Sequence, residues 1–330
     1  MFYFILVLLL TNVFSTNEEP ERATTPKSRK KSFAALVFSS TTNVPPSQKE
    51  SCQWLRRLKH QSKQCWKRRG LAKILFHAKT QSIEQCQSLF KYDQWNCSKR
   101  DFFFKKLYRE TAFMYSLASS AVAYSVARAC SEGHLPGCKC GDPGKLPEGA
   151  NWQWGGCSDN SKFAKKFTKK FLQMKKKGDG LNAIVRYNTE IGINVATENE
   201  ELDCKCHGVS GSCTVRVCQK KLDFKKIAAR LKILYHNAIL VKPGNTIRSF
   251  KGDKNAQNLL FLDSSPNFCL NTAGRQCNST ENCATVCCGR RPHSTEVTIR
   301  NDTCDCVFKS EKFNVDCEPC MQKKTVLTCP

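Results

Sequence analysis

The chain has 330 residues, carries a formal net charge of +25 and contains 22 cysteines, an even and high number. This length allows one large domain or two smaller ones. Cysteine at this density is typical of secreted disulfide scaffolds and argues against a cytosolic protein, whose thiols are kept reduced. Eleven bridges are possible, and each typically contributes ~2–4 kcal/mol by restricting the unfolded chain.

The first residues have the composition of a secretory signal peptide. Residues 2–14 are almost wholly apolar, which suits a signal-peptide core and is too short to span a bilayer. We predict a signal peptide over residues 1–15, with an uncleaved anchor as the alternative. Residues 16–50 are rich in Ser, Thr, Pro and Lys without periodicity, so we expect a disordered basic arm there.

Apolar residues at helical spacing dominate the next part of the chain. They predict one helix around Leu71–Ala78 and a longer run from Leu107 that ends at Cys130. Glycines and prolines between Gly133 and Gly149 then predict a loop region. We assign residues 51–245 to a helical N-terminal domain.

A basic amphipathic helix follows this loop region. Phe163, Phe167 and Phe171 recur every four residues and should face the core, with lysines on the opposite side. Inside a cell such a cluster would indicate nucleic acid, whereas outside it indicates sulfated glycans or anionic head groups. We expect heparan sulfate and no nucleic acid, with a solvated face as the alternative. The predicted glycan-binding residues are Lys165, Lys166, Lys169 and Lys170.

The run CKCHGVSGSC, residues 204–213, is the most informative stretch of the chain. Alternating cysteines precede a Gly/Ser turn, and alternating valines then lead to Cys218, which is the pattern of a hairpin. Two nested bridges would link its strands and leave Ser210 near the middle of a six-residue loop. The pairings that would do so are Cys204–Cys218 and Cys206–Cys213.

Ser210 has several interpretations from the residues alone. The stretch 208–212 matches the G-x-S-x-G of hydrolases except at its last position, and cysteines replace the strand-turn-helix context. Three thiolates and an imidazole could bind zinc, although the spacing fits no common zinc pattern and an oxidising compartment favours bridges. The serine could instead accept a modification or be an ordinary turn residue, and composition alone favours the turn residue. The zinc ligands would be Cys204, Cys206, His207 and Cys213.

The amino-acid composition changes in the last part of the chain. A helix is predicted from Leu222 to Val241. Ten cysteines then lie from Cys269 to Cys329, separated by short strand-like pieces such as Glu296–Arg300. Because apolar residues are few, bridges must define this part. We therefore predict an α+β fold whose residues 246–330 form a small cystine-rich C-terminal domain. Sequons predict N-glycosylation at Asn96, Asn278 and Asn301.

Five blocks in order along the chain resemble the Wnt family of secreted, lipid-modified signals. Blocks of this number in family order are specific, whereas one tripeptide would be weak. The resemblance implies a two-domain fold in which residues 204–218 form a thumb-like hairpin and residues 304–320 an index finger. The blocks are residues 204–213, residues 109–113 with 130–133, residues 152–160, residues 265–269 and residues 287–290.

The resemblance implies a function for Ser210. In Wnt proteins the matching serine carries a mono-unsaturated acyl chain, attached by the acyltransferase Porcupine. The carrier Wntless delivers the protein to the surface, and the lipid enters a groove of the Frizzled cysteine-rich domain. A low-density-lipoprotein-receptor-related protein is the implied co-receptor. We therefore expect a secreted ligand of the extracellular space and matrix, without enzymatic activity or cofactor, that associates with membranes through its acyl chain. A disulfide-rich matrix or glycan-binding protein without receptor agonism is the alternative.

The family pattern also implies the remaining disulfides. Matching positions pair all but two cysteines, and these two would join each other. No cysteine is left over. The implied pairs are Cys52–Cys65, Cys86–Cys97, Cys130–Cys138, Cys140–Cys157, Cys269–Cys288, Cys277–Cys283, Cys287–Cys329, Cys304–Cys320 and Cys306–Cys317.

The sequence departs from the family at two places. Between Cys306 and Cys317 the usual vicinal cysteine pair is absent and charges replace it, so Phe313 is expected to keep one apolar contact. Gln219 stands where tryptophan often follows the hairpin. A divergent member is implied, in which the lipid carries more of the affinity. The implied receptor contacts are Val209, Ser210 and Phe313.

Overall fold

The computed structural model describes residues 32–39, 52–97, 103–174, 180–241, 258–310 and 314–330. The predicted signal peptide, residues 1–15, lies outside the described residues, and so does Phe313. Among the described residues, no helix has both the length and the apolar character to cross a membrane.

Part of the predicted disordered arm is a helix, α1 (Phe33–Ser39). The Ser32 hydroxyl accepts a hydrogen bond from the Ala35 amide at 3.1 Å, as an N-cap does. Val37 is fully buried, and the Phe33 ring lies 5.5 Å from the ring of Phe171. The expectation of disorder was therefore wrong for this segment. Its apolar run buries enough surface to offset the entropy lost on ordering.

Within the described residues, six further helices belong to the same core, and one lies in the C-terminal part. The predicted helices near Leu71 and from Leu107 are confirmed, whereas α6 was not predicted. The last predicted helix is shorter than Leu222–Val241. Asp223 caps its start by accepting backbone amides, and it ends at His236, before residues 239–240 form a strand. The bounds are α2 (Lys59–Lys67), α3 (Leu71–Leu89), α4 (Arg109–Ser131), α5 (Ser161–Phe171), α6 (Gly180–Glu198), α7 (Phe224–His236) and α8 (Thr280–Val286).

Helix α4 is the centre of the fold and is buried along almost its whole length. It is rich in alanine and serine, which favour or tolerate a helix and let neighbouring backbones approach closely. The Ser116 hydroxyl donates to the Asn188 carbonyl of α6 at 2.8 Å, and the Ser119 hydroxyl donates to the Thr189 carbonyl at 2.9 Å. A side chain at Gly192 would overlap α4. Small residues therefore set the spacing of α4 and α6.

A buried carboxylate holds the start of α4. Glu110 is 1% exposed and accepts hydrogen bonds from the Tyr235 hydroxyl at 2.9 Å and the Ser265 hydroxyl at 2.7 Å. Burial, reinforced by the Glu110 carboxylate, raises the pKa of Tyr235, so this phenol stays a donor. The contact joins α4 to α7 and to the segment around Ser265.

Eight strands in the described part of the chain form three small sheets. The first sheet has the order β1-β3-β2, the second pairs β4 with β5, and the third has the order β6-β8-β7. The bounds are β1 (Gln153–Trp154), β2 (Glu200–Cys206), β3 (Arg216–Leu222), β4 (Ile239–Leu240), β5 (Leu260–Phe261), β6 (Gln276–Cys277), β7 (His293–Lys309) and β8 (Asn314–Thr328).

Strands β7 and β8 correct the prediction of short strands near Glu296–Arg300. They are 17 and 15 residues long and pair antiparallel from His293 opposite Thr328 to Lys309 opposite Asn314. The register shifts on each side of Cys304, which is the signature of β-bulges. One long hairpin therefore replaces the expected series of pieces.

The structure contains eleven disulfides, and their pairings are the same as those the resemblance implied. Buried residues form a large core among the helices and a small one made of Cys277, Cys283, Val286, Cys287 and Cys329. The large core takes in Leu259 and Leu260, beyond the predicted domain boundary at residue 245. Bridges thus replace apolar side chains as the main content of the small core.

Candidate functional site

The predicted hairpin is present, with β2 and β3 as its strands. They pair antiparallel, with Cys204 directly opposite Cys218. One disulfide joins these two residues across the ladder, and a second joins Cys206 to Cys213 in the loop. The two bridges close rings at successive levels of this first hairpin (residues 200–222), so its tip has little freedom to rearrange.

The tip of the first hairpin is a tight turn over Val209–Gly211. The Gly208 amide donates to the Ser212 carbonyl at 2.7 Å, and the Gly211 amide donates to the Gly208 carbonyl at 3.0 Å. Ser210 has φ +56° and ψ +28°, the left-handed region that non-glycine residues enter infrequently. A side chain at Gly208 would overlap the hydroxyls of Ser212 and Thr214. Glycine is therefore required there by space.

This turn presents the Ser210 hydroxyl to solvent. Ser210 is exposed, and its neighbour Val209 is 89% exposed. Among the described residues, the Ser210 hydroxyl has no hydrogen-bond partner. The Ser212 hydroxyl, by contrast, lies 3.1 Å from the Thr214 hydroxyl and shares a hydrogen bond with it. Of the two serines in the loop, Ser210 is thus the one with an open oxygen.

The geometry argues against the zinc site and the hydrolase site considered for this loop. Cys204, Cys206 and Cys213 are all in disulfides, so they offer no thiolate to zinc. Within the described residues, no histidine hydrogen-bonds the Ser210 hydroxyl, as an activated serine nucleophile requires. In the described part of the chain, the loop therefore presents an exposed hydroxyl without a histidine beside it.

A buried carboxylate fixes the base of the first hairpin. Asp159 is 1% exposed and accepts from the Leu222 amide at 2.9 Å and from the Ser131 hydroxyl at 2.6 Å. The Lys221 ammonium lies 3.5 Å from the same carboxylate. One side chain therefore connects the end of α4 to β3. The sequence showed Asp159 only as part of a motif, because its partners are distant in the chain.

The tryptophan-rich motif supplies a third strand to the first hairpin. Gln153 and Trp154 form β1, which pairs parallel with Val217 and Cys218 of β3. The Gly155 amide donates to the Cys218 carbonyl at 3.1 Å, and a side chain at Gly155 would overlap Val217. The motif thus covers one edge of β3 and ties the hairpin to the helical part.

The second hairpin (β7–β8, residues 293–328) is the predicted index finger. Two disulfides, Cys304–Cys320 and Cys306–Cys317, cross it. Phe308 stands opposite Val315, and these side chains are 58% and 55% exposed. Because Phe313 lies outside the described residues, Phe308 is the aromatic side chain placed near this end. The sequence prediction missed it.

The four lysines predicted to bind glycan do not form one free cluster. The Lys165 ammonium lies 2.9 Å from Glu198, and the Lys169 ammonium lies 2.7 Å from Glu190, both acceptors being on α6. Lys166 and Lys170 are exposed. Carboxylates opposite half of the cluster lower its attraction for a polyanion.

The three sequons differ in their surroundings. Asn96 is half-buried beside the disulfide-bonded Cys97, whereas Asn278 is exposed just before α8. The Asn301 side chain accepts from the Thr303 hydroxyl at 2.8 Å, next to a bulge of β7. Glycosylation at these asparagines stays a prediction.

Comparisons with known proteins agree with this geometry. A sequence model of the wnt family matches residues 54–330. Protein Wnt-4 of Drosophila melanogaster is 36% identical over 301 residues, which cover 84% of this chain and 56% of that protein, so the chain spans about half of that relative's length. Protein Wnt-9a of Gallus gallus is 34% identical over 306 residues, covering 84% of this chain and 85% of that protein.

A solved structure is similar as well. It is described as human WLS in complex with WNT8A, and one of its chains matches with a TM-score of 0.55 and 27% sequence identity. The match covers 78% of this chain and 94% of that chain. The structural similarity therefore extends over most of this chain.

Proposed function

The chain belongs to the Wnt family, and from this premise we propose that it is a secreted signalling ligand, acylated on Ser210, for a Frizzled cysteine-rich domain. The observation that carries the proposal is the exposed Ser210 hydroxyl, without a partner among the described residues, at a tip closed by two disulfides. A rigid tip lowers the ordering cost when the lipid enters a receptor groove.

The energetics support a dominant lipid contact. Each buried methylene contributes ~0.8 kcal/mol, so a long acyl chain gives an upper bound of roughly 10 kcal/mol. Val209, beside the modified serine, is 89% exposed and would add an apolar contact at the rim of the groove. A single acyl chain also gives marginal, reversible membrane attachment, which keeps such a ligand near cell surfaces.

The proposal includes the steps that precede release. Porcupine would attach a mono-unsaturated chain to the Ser210 oxygen, and Wntless would carry the acylated protein to the surface. Support for the carrier comes from the similar chain in the human WLS complex with WNT8A, at 27% identity. The protein would then act over short distances in the extracellular space and matrix.

A second receptor contact would come from the second hairpin. The opposed pair Phe308 and Val315 offers exposed apolar surface near its end, where the family's vicinal cysteine pair is missing. A low-density-lipoprotein-receptor-related protein would complete the receptor complex. We assign no catalytic step to the chain, since its proposed action is binding.

The mass of the secreted protein tests the proposal, and the loop provides its own control. Wild type made in Porcupine-competent cells should carry the acyl group, Ser210→Ala should lose it along with Frizzled binding, and Ser212→Ala should keep both. Ser212 lies two residues away and bonds Thr214, so its replacement separates the site from the loop. A lipid-free wild type that binds and signals fully would overturn the proposal.

A further inference from the structure

The first half of β7 is a free edge of the third sheet. The strand order is β6-β8-β7, so among the described residues β7 pairs with β8 alone. Residues 293–301 keep one constant register with residues 320–328 before the first bulge. Every residue from 293 to 300 is exposed. An edge of this length presents a row of backbone N–H and C=O groups to which another strand can bond.

Hydrogen bonds at the end of β8 show which backbone groups of β7 point to this free edge. The Cys329 amide donates to the Arg275 carbonyl at 2.8 Å, on the side away from β7. Backbone groups of successive strand residues point to opposite edges, so those of Thr328 point to β7 and bond its partner His293. The constant register continues this alternation along β7. The residues whose backbone groups lie at the free edge are therefore Ser294, Glu296, Thr298 and Arg300.

The other edge of the second hairpin, on β8, is interrupted in ways that natural sheets use against unwanted pairing. Pro319 lies within β8 and has no amide hydrogen to donate. Lys323 and Lys324 follow it, and lysine is common on exposed edges that must stay unpaired. Residues 293–301 of β7 contain neither proline nor lysine. The sequence thus protects the edge of β8 and leaves the edge of β7 able to pair.

This segment of β7 is complementary to itself when two copies run antiparallel. Residues that face each other must both have their backbone groups at the shared edge or both turned away, so a two-fold axis passes through one residue. With the axis at Thr298, Glu296 of each copy faces Arg300 of the other, and Val297 faces Ile299. Thr298 faces its counterpart in the second copy. Opposite charges, apolar β-branched pairs and threonine pairs are favourable neighbours across two strands.

Other positions of the axis give poorer pairs. An axis at Glu296 or at Arg300 would place like charges opposite each other. An axis at Val297 would leave Glu296 facing Thr298, and an axis at Ile299 would leave Arg300 facing Thr298. Among these five positions, the axis at Thr298 is the one that sets both charged residues opposite an unlike charge.

The side chains of this segment have surface to gain from such pairing. Val297 and Ile299 are 43% and 44% exposed and lie on one face of the sheet. Each would be covered further by the apolar side chain of the second copy. The Glu296 carboxylate lies 4.0 Å from the Lys323 ammonium, and both side chains are more than half exposed. Exposed ion pairs contribute little, so Glu296 can turn towards Arg300 of a second copy at small cost.

We propose that two copies of this chain associate through the free edge of β7, antiparallel and with the two-fold axis at Thr298. The product would be one sheet of order β8-β7-β7-β8 that crosses the dimer. A glycan on Asn301 would project from a face of this sheet, opposite the small Thr295, and not from its edge. Because the paired segment is short, the dimer should be weak and dependent on concentration. The surface is separate from Ser210, so association does not require acylation.

Exchange of the two facing charges tests this register in the full secreted chain. All chains carry Ser210→Ala, so that no lipid contributes to association. E296R and R300E, each alone, set like charges opposite each other and should weaken dimer formation at least about tenfold in sedimentation equilibrium. The double variant E296R/R300E should restore it. An equimolar mixture of the two single variants should form a heterodimer, because both facing pairs then have opposite charges.

Two further variants separate the register from general effects of charge. E318R makes the same charge change on β8, away from the free edge of β7, and should leave dimer formation unchanged. T298P removes an amide hydrogen from the free edge while the bonds to β8 remain, so it should abolish dimer formation with the disulfides intact.

Contrary results would overturn the proposal. They are a parent chain that stays monomeric at every concentration, a double variant as weak as the single ones, a mixture that forms no heterodimer, an equal loss from E318R, and a dimer that survives T298P. Placed in the chain with its native Ser210, E296R should leave the acyl mass unchanged. Failure of the dimer would therefore leave the receptor proposal standing.

Discussion

The two hairpins use the same chemistry for different purposes. Each has two disulfides, but the first is seven residues long on each strand and is tied to the helical core by Asp159 and β1. The second has strands of 17 and 15 residues, with β6 as its further strand partner. The first hairpin fixes the position of one oxygen, whereas the second presents a long exposed surface.

The largest expected effect comes from the anchor of the first hairpin. Asp159→Ala would leave the Leu222 amide unpaired and the partly buried Lys221 without its carboxylate. Removing one partner of a buried pair typically costs ~3–5 kcal/mol in unfolding free energy. We expect a loss of at least about 3 kcal/mol, measured by denaturant unfolding with disulfides intact.

The matched control lies on the second hairpin. Asp316 pairs with Lys309 at 2.7 Å, and both side chains are more than half exposed. Asp316→Ala should therefore cost at most ~1 kcal/mol. Equal losses from the two variants would show that the base of the first hairpin is no more firmly anchored than the exposed end of the second.

The bridges nearest the two tips come next in size. Loss of Cys206–Cys213 or of Cys306–Cys317, each as a double alanine variant, should cost ~2–3 kcal/mol, because both close short loops. The consequences should differ in kind. The first variant should lose acylation of Ser210, whereas the second should keep it. Mass analysis of the secreted chains measures the acylated fraction of each variant. Full acylation of the first variant would contradict the role of the Cys206–Cys213 bridge.

Gly208→Ala probes the turn itself. The added methyl would overlap Ser212 and Thr214 hydroxyls, and overpacking of this kind typically costs ~1–3 kcal/mol. The acylated fraction should fall, as measured by mass. Gly274→Ala is the control, since its positive φ strains an alanine while the added methyl meets no atom within 4 Å. It should leave the acylated fraction unchanged, and a fall of equal size would mean that general strain is responsible.

The smallest effect on stability is expected at Phe308. The side chain is 58% exposed, so Phe308→Ser should change the unfolding free energy by no more than ~0.5 kcal/mol. Frizzled affinity should nevertheless fall, because an aromatic side chain at the centre of a contact often carries more than ~1 kcal/mol of binding energy. Binding of an isolated cysteine-rich domain to the acylated variant measures this. Unchanged affinity would leave the first hairpin as the main receptor contact.

The sequence predicted the local features and missed those that depend on distant partners. Helix α4 and the first hairpin were predicted because their apolar spacing and cysteine alternation lie within one short stretch. Helix α6 was missed because its buried side carries the polar residues Asn188 and Thr189. The Asn188 side chain is paired by the backbone of Leu260, which lies 72 residues further along the chain. Asp159 was likewise visible only as part of a motif, since its partners come from residues 131 and 222.

Two other errors have different origins. The long strand β7 was predicted only as a piece, because the shifts of register on each side of Cys304 break the two-residue alternation. Helix α1 was assigned to a disordered arm, because a seven-residue helix has little stability without the core that covers it. The partners of α1 lie far away in the sequence, whereas β8 follows β7 directly and the error there is one of pattern.

The position of helix α1 early in the chain has a consequence for folding during synthesis. It leaves the ribosome early, but its partner Phe171 is made 138 residues after Phe33. At translation speeds of about 5–20 residues per second, roughly 7–28 s pass between the two events. During that interval α1 can pack only against segments made earlier, such as Trp54, whose ring lies 5.7 Å from that of Phe33. A nascent chain in the secretory pathway would therefore depend on chaperones to shield the rest of its apolar surface until α5 is made.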